Sequence, residues 1–227
     1  MVDGQLLKLS LDAAYRSGHF AHVPLLIGAN SADFGTSPAK TFDEVFAPFG
    51  ADRDRAIRLY DPYGTDSVPA LAARVAADRR MVEPARFDAS EFTQHGVPVY
   101  EYRFSFVPAV VSEQLARDPN ASSENHGAQH ASEIPYVFDT VATRYGSGTT
   151  AQDLSMAETV SRYWVNFAKT GDPNGAGLPS WPVYSPQRDV LMNFTQDGPM
   201  AMPDPWRERL DLTAAHRELG GNPVPTF

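Results

Sequence analysis

Cysteine is absent from the 227-residue chain, which excludes disulfides, zinc–thiolate centres and a cysteine nucleophile together. A cysteine-free chain is compatible with a reducing compartment such as the cytoplasm but does not require one. Long apolar runs are absent too: none approaches the roughly 20 residues needed to cross a bilayer, and Met1-Val2-Asp3-Gly4 opens no basic-then-apolar targeting pattern. Basic surplus is also lacking. A net charge of -9, relieved by no basic run, argues against broad binding to nucleic acid or to an anionic membrane face. What is present, 42% hydrophobic and 11% aromatic residues, suffices for one large core or two small ones.

The apolar residues fall into segments of recognisable period. Ser10 to Gly18 reads as a short helix between a capping serine and a terminating glycine. Val23-Pro24-Leu25-Leu26-Ile27-Gly28 is apolar without alternation, as expected of a parallel strand covered on both faces. Thr41-Phe42-Asp43-Glu44 is a capping box, and helices are expected over 68–80 and 82–95, the second with Pro84 in its first turn. Asp61-Pro62-Tyr63-Gly64, between that box and the first of these helices, is a turn. Val97 to Phe106 alternates, with Tyr100, Tyr102, Phe104 and Phe106 on one face and Val99, Glu101, Arg103 and Ser105 on the other. That pattern predicts a strand exposed on one side, near a sheet edge. A polar loop over 118–125 follows. Then comes a long helix from Ala151 to Lys169, with Thr150 and Asp153 as its N-terminal box and Ala157, Val160, Trp164, Phe167 and Ala168 as its apolar stripe. A short strand from Asp189 to Phe194 and a terminal helix from Pro205 to Leu219 complete the pattern. Strands separated by helices predict an α/β fold with a mostly parallel sheet. No domain linker is seen between Thr41 and Gln94, and residues 1–227 are expected to belong to a single domain.

Two polar loops carry the candidate chemistry. Ala29-Asn30-Ser31-Ala32-Asp33 lies at the carboxyl end of the first strand, where open α/β sheets place functional groups, and Asp33 is the candidate acid. Its plainer role would be an Asx turn or a helix cap. Gly127-Ala128-Gln129-His130-Ala131-Ser132-Glu133 sets an imidazole beside a carboxylate, ahead of the run Ile134 to Phe138. His130 is the candidate base, against a structural histidine bonded to Glu133. Neighbouring parallel strands bring their carboxyl ends together, so Asp33 and His130 are expected to meet.

These residues resemble the carboxyl-terminal portion of the type-B carboxylesterases, the cholinesterase-like serine esterases. Gly127 to Phe138 is similar to that family's Gly-x-x-His-x-x-Glu histidine loop. Val23 to Asn30 is similar to its Val-Pro-x-Leu-Ile-Gly-x-Asn, with the catalytic carboxylate three residues on, at Asp33. Ser161 to Gly175 resembles its closing helix and Gly-x-Pro-Asn turn, and Tyr100 to Pro108 its last long strand. There is one departure: the family places Glu followed by Gly where this chain has Asp33-Phe34, with Gly35 one place later. The resemblance implies an α/β-hydrolase fold lacking its amino-terminal strands. It further implies acyl transfer on a small carboxylic ester, with His130 as base, Asp33 as orienting acid and Glu133 bracing the loop.

The family's remaining machinery is not in the sequence. A serine esterase needs Gly-x-Ser-x-Gly on a strained strand-to-helix turn, and no such pentapeptide occurs. The nearest match, Gly35-Thr36-Ser37-Pro38-Ala39, fails because Pro38 has no N–H to offer an oxyanion. The glycine-rich oxyanion loop is missing as well. The resemblance therefore implies a chain holding acid and base but no nucleophile, inactive alone. Met1 falls inside a segment similar to the family's Val-x-Asp-Gly, which points to a split gene, a gene fragment or an engineered piece with a separate polypeptide carrying the nucleophile half. Two other classes compete. One is a non-catalytic interaction module on the same scaffold. The other is a metallohydrolase built on Glu124, His126, His130 and Glu133, disfavoured because Gly127 interrupts the i, i+4 histidine pair. No cofactor is expected. Asn120-Ala121-Ser122 and Asn193-Phe194-Thr195 match the glycosylation pattern, as short triplets often do by chance.

Overall fold

The computed structural model describes residues 5, 8–35, 37–117 and 127–217. In chain order, α1 (Leu11–Arg16) leads into β1 (Leu25–Asn30), and α2 (Phe42–Phe46), α3 (Arg53–Tyr60), α4 (Val68–Ala77) and α5 (Glu83–Gln94) cross over to β2 (Val99–Phe104). Next, α6 (Ala109–Arg117), α7 (Ile134–Val137), α8 (Val141–Tyr145) and α9 (Ala151–Thr170) precede β3 (Val190–Thr195). A tight hairpin then gives β4 (Gly198–Pro203), followed by α10 (Arg207–Ala215). The sheet order is β1-β2-β3-β4. The first three strands are parallel, and β4 runs antiparallel to β3.

Local sequence accounts for most of these boundaries. Ser10 caps α1 by accepting from the Ala13 amide, and both expected capping boxes form, Thr41 with Glu44 and Thr150 with Asp153. The two helices expected over 68–80 and 82–95 are α4 and α5, joined through a π-helical turn at Asp78–Val82 rather than separated by a break. The predicted aromatic face of β2 packs on α9: Tyr100, Phe104 and Phe106 share a core with Met156, Ala157, Val160, Tyr163, Trp181 and Phe194. Ala168 was expected in the α9 stripe but is exposed, and Met156 and Tyr163 fill the face instead.

The expectation that β2 is half-exposed at a sheet edge is wrong. It lies between β1 and β3, and on its charged face Glu101 is only 3% and Arg103 only 2% exposed. Arg103 donates to the Asp204 carboxylate at 3.0 Å and lies 3.8 Å from the centre of the Trp206 ring, so the segment leading into α10 covers this face with a paired charge and an aromatic. Alternation of polar and apolar residues signals two different environments, and here both are inside. β4 was not expected. Its proline content depresses strand propensity, yet Pro199 and Pro203 are tolerated because among the described residues β4 is an edge strand paired with β3. The Asn193 triplet lies in β3, and its Nδ2 contacts Met202 Sδ at 3.8 Å, which is no place for a glycan. The Asn120 triplet and the polar loop over 118–125 fall outside the described residues.

Candidate active site

The site is assembled where β1 and β2 end. Parallel pairing carries Asn30 alongside Phe104, and the Ser31 amide continues the ladder onto the Phe104 carbonyl at 2.9 Å. From there the histidine segment replaces β2 as the partner. Ala32 and Gln129 form an isolated parallel bridge, the Ala32 amide donating to the Ala128 carbonyl at 2.9 Å and the Ala128 amide to Ser31 Oγ at 2.9 Å. This close approach explains Gly127: a Cβ added there would sit 2.7 Å from Ser31 Oγ and 2.9 Å from Ala32 Cβ. Beyond the bridge the histidine segment turns sharply. Ala131 adopts φ 64°, a conformation that costs a non-glycine residue about 1 kcal/mol or more.

The structure brings Asp33 and His130 together, Nδ1 of the imidazole lying 2.6 Å from Asp33 Oδ1. The two side chains differ in environment. Asp33 is 5% exposed, whereas the His130 ring is 55% exposed. Asp33 is held by the backbone on both oxygens, Oδ1 accepting from the Phe34 amide at 2.7 Å and Oδ2 from the Asn30 amide at 2.9 Å. A carboxylate fixed in this way favours the Nδ1–H tautomer of the neutral imidazole, in which Nε2 is the acceptor nitrogen. Phe34 places its ring 5.9 Å from the imidazole, at a tilt of 56°. Gly35 comes next because the loop there presses onto α4: a Cβ would fall 2.1 Å from the Ala73 carbonyl oxygen and 2.5 Å from the Ala77 nitrogen. The displaced glycine therefore serves helix contact.

Glu133 touches neither Asp33 nor His130 in any hydrogen bond of the site. Its Oε2 accepts from the Asn30 side chain at 2.5 Å, and the same Asn30 amide group donates to the Gln129 carbonyl at 2.7 Å. Tyr102 stands among these groups. Burial first, then the nearby Glu133 and Asp33 carboxylates, hold its phenol protonated well above the ordinary tyrosine range. Asn30, 2% exposed, is the residue that sequence reasoning passed over, although it stands inside the quoted strand motif. Its position as the last residue of β1 was the available signal. Among the described residues no group of three or more His, Asp and Glu is arranged to hold a metal ion. Glu124 and His126 lie outside those residues.

Comparison with known proteins fits this geometry to a family. The model of the carboxylesterase family matches residues 61–208. The chain belongs to the carboxylesterase family. Similar curated proteins include the fumonisin B1 esterase of Sphingopyxis macrogoltabida, 29% identical over 214 residues covering 87% of this chain and 37% of that protein. The human cocaine esterase is 26% identical over 214 residues, covering 84% of this chain and 37% of that protein. Among solved structures, a carboxylesterase of Geobacillus stearothermophilus superposes with a TM-score of 0.68 at 26% identity, over 93% of this chain and 44% of that one. The fold of this carboxylesterase chain is thus of the α/β-hydrolase type. The chain spans only 37% of the length of those two curated relatives. Gly146–Gly148 is a 3₁₀ turn that follows helix α8 rather than a strand, and Ser37 is followed by Pro38.

Proposed function

We propose that this chain is the acid-and-base portion of a serine carboxylesterase, with the nucleophile and oxyanion hole supplied by a separate polypeptide. His130 removes the proton of the incoming serine through Nε2 and returns it to the leaving alcohol. Asp33 fixes the Nδ1–H tautomer and stabilises the imidazolium as it forms. Glu133 braces the histidine loop through Asn30. The observation that carries the reading is the 2.6 Å contact from a buried, backbone-held carboxylate to an imidazole whose ring is more than half open to solvent. A merely structural histidine would bury its second nitrogen against a partner. The edge of β1, which among the described residues pairs with β2 alone, is where the nucleophile-bearing half would add its strands.

Loss of the nucleophile costs on the order of 10⁶ in turnover in a serine protease of the same logic. The chain alone therefore shows negligible hydrolysis of nitrophenyl butyrate. Co-expression with a family half bearing Gly-x-Ser-x-Gly restores fluorophosphonate labelling and turnover, and His130→Ala abolishes the turnover. Turnover by the repurified chain alone that disappears in His130→Ala would overturn the two-part reading. Labelled, soluble complex whose turnover survives His130→Ala would overturn the role of the histidine.

A further inference from the structure

The Asp33–His130 contact joins residues 97 apart in sequence, and besides the bridge at Ala32 and the Ser31 hydroxyl one residue bonds to both loops. Asn30 reaches both. Its backbone amide donates to Asp33 Oδ2 at 2.9 Å, and its carboxamide donates to the Gln129 carbonyl, directly before His130, at 2.7 Å and to Glu133 Oε2 at 2.5 Å. Both side-chain partners are acceptors only, so the NH₂ group must face them, and its two hydrogens serve one each. Asn30 is 2% exposed and ends β1, whose pairing with β2 fixes its backbone. The histidine loop needs such an anchor: its other hydrogen bonds to the acid loop, the bridge and the Ala128 amide on Ser31 Oγ, all lie before His130, and the chain bends through Ala131 at φ 64° just after it.

We infer that Asn30 is a positioning residue for the acid–base pair, setting the separation of Asp33 and His130 by tying residues on both sides of the histidine to the strand that carries the acid. This rests on the reading of Asp33 and His130 as a working pair. It assigns Glu133 its purpose, to serve as second acceptor so that the Asn30 carboxamide cannot rotate away from Gln129. Without the carboxamide the loop keeps its chain path but loses its register with Asp33, and the imidazole loses its enforced tautomer.

The test reads the tautomer directly in the full 227-residue chain, by long-range proton–nitrogen correlation NMR of the imidazoles at about pH 7.5, with far-ultraviolet circular dichroism reporting the fold. In the native sequence His130 is dominated by the Nδ1–H form. Asp33→Asn, which removes the anionic acceptor, lowers that preference about tenfold or more. Asn30→Ala lowers it several-fold while the helical signal is retained. Glu133→Ala, which leaves β1 untouched, moves it the same way by a smaller factor. A native tautomer ratio in folded Asn30→Ala overturns the inference. If Asn30→Ala does not fold, a native ratio in Glu133→Ala overturns it. A native ratio in Asp33→Asn, or no Nδ1–H preference in the native chain, overturns instead the pairing on which the inference rests.

Discussion

Glu101 makes the stability of this chain fall as pH rises toward 8. It sits at the middle of β2 and is 3% exposed, on the face shared with Arg103 and Asp204. Burial, and then the Asp204 carboxylate, push its acid from 4.5 up to about 8, the Arg103 guanidinium opposing only in part. An acid whose folded value is raised binds its proton more tightly in the native state. Its stabilisation is therefore complete below 4.5, declines as the unfolded chain ionises, and is gone once the folded protein ionises above about 8. The slope approaches about 1.4 kcal/mol per pH unit. Asp88, raised mainly by burial to about 6, acts in the same direction but only in the lower part of this range. Between pH 6 and 8 Glu101 accordingly removes about 2–3 kcal/mol.

Glu101→Gln isolates that contribution because the neutral carboxamide keeps the shape and cannot ionise. Urea unfolding of both proteins at pH 6, 7 and 8 is the assay. The stability of the variant relative to the native protein should rise by about 2–3 kcal/mol across the range, a midpoint difference of roughly 1 M urea for a chain of this size. Groups common to both proteins cancel in the difference. Parallel stability curves for the two proteins would refute the reasoning, and would mean that Glu101 is ionised throughout, neutralised by Arg103.

Other perturbations test other parts of the argument. In the complemented enzyme, Asp33→Asn should lower kcat by about 10⁴ with little change in KM, as expected when only the tautomer is lost; steady-state kinetics on nitrophenyl esters decide it. Arg86 donates to both oxygens of Asp189, at 3.1 and 2.8 Å, and Asp189 is 1% exposed, so Arg86→Met should cost about 3 kcal/mol in urea unfolding, with Arg86→Met/Asp189→Asn recovering part of the loss. Thr150→Ala removes the cap of α9 and half of its box with Asp153, for about 1 kcal/mol and a lowered Tm by calorimetry.

Features governed by neighbouring residues were legible in the sequence, and those governed by distant ones were not. The caps at Ser10, Thr41 and Thr150 are decided within four residues, and each forms as the sequence indicates. The packing of Tyr100 and Phe104 against α9 follows from two periodicities that needed only to face one another. The second face of β2 depends on Asp204 and Trp206, about a hundred residues further on, and no local pattern distinguishes Arg103 in water from Arg103 against an indole. The hairpin from β3 to β4 carries an Asp197-Gly198 turn signal, but Pro199 and Pro203 lower strand propensity on its far side, and only pairing with β3 makes β4 a strand. Glu133 was expected to brace its loop, and the residue its carboxylate bonds, Asn30, lies 103 residues away. Sequence spacing conveys residue types and does not reveal which side chain stands across the gap.

The same distinction explains how an aspartate can stand where the family places a glutamate. A carboxylate shortened by one methylene reaches the imidazole only if the two backbones draw closer, and the bridge between Ala32 and Gln129 supplies that approach. Asp33 and His130 are each the first residue past the bridge, on chains running in the same direction, so they leave it side by side as neighbours in a parallel ladder would. At strand spacing, about 4.8 Å between backbones, an aspartate carboxylate spans the distance to Nδ1, and a glutamate would have to fold back on itself. Gly127 permits that spacing, Asn30 holds it, and Gly35 seats the far end of the acid loop on α4. Lengthening the acid by Asp33→Glu should therefore weaken the pair, unless Gly127 also changes and pushes the two loops apart.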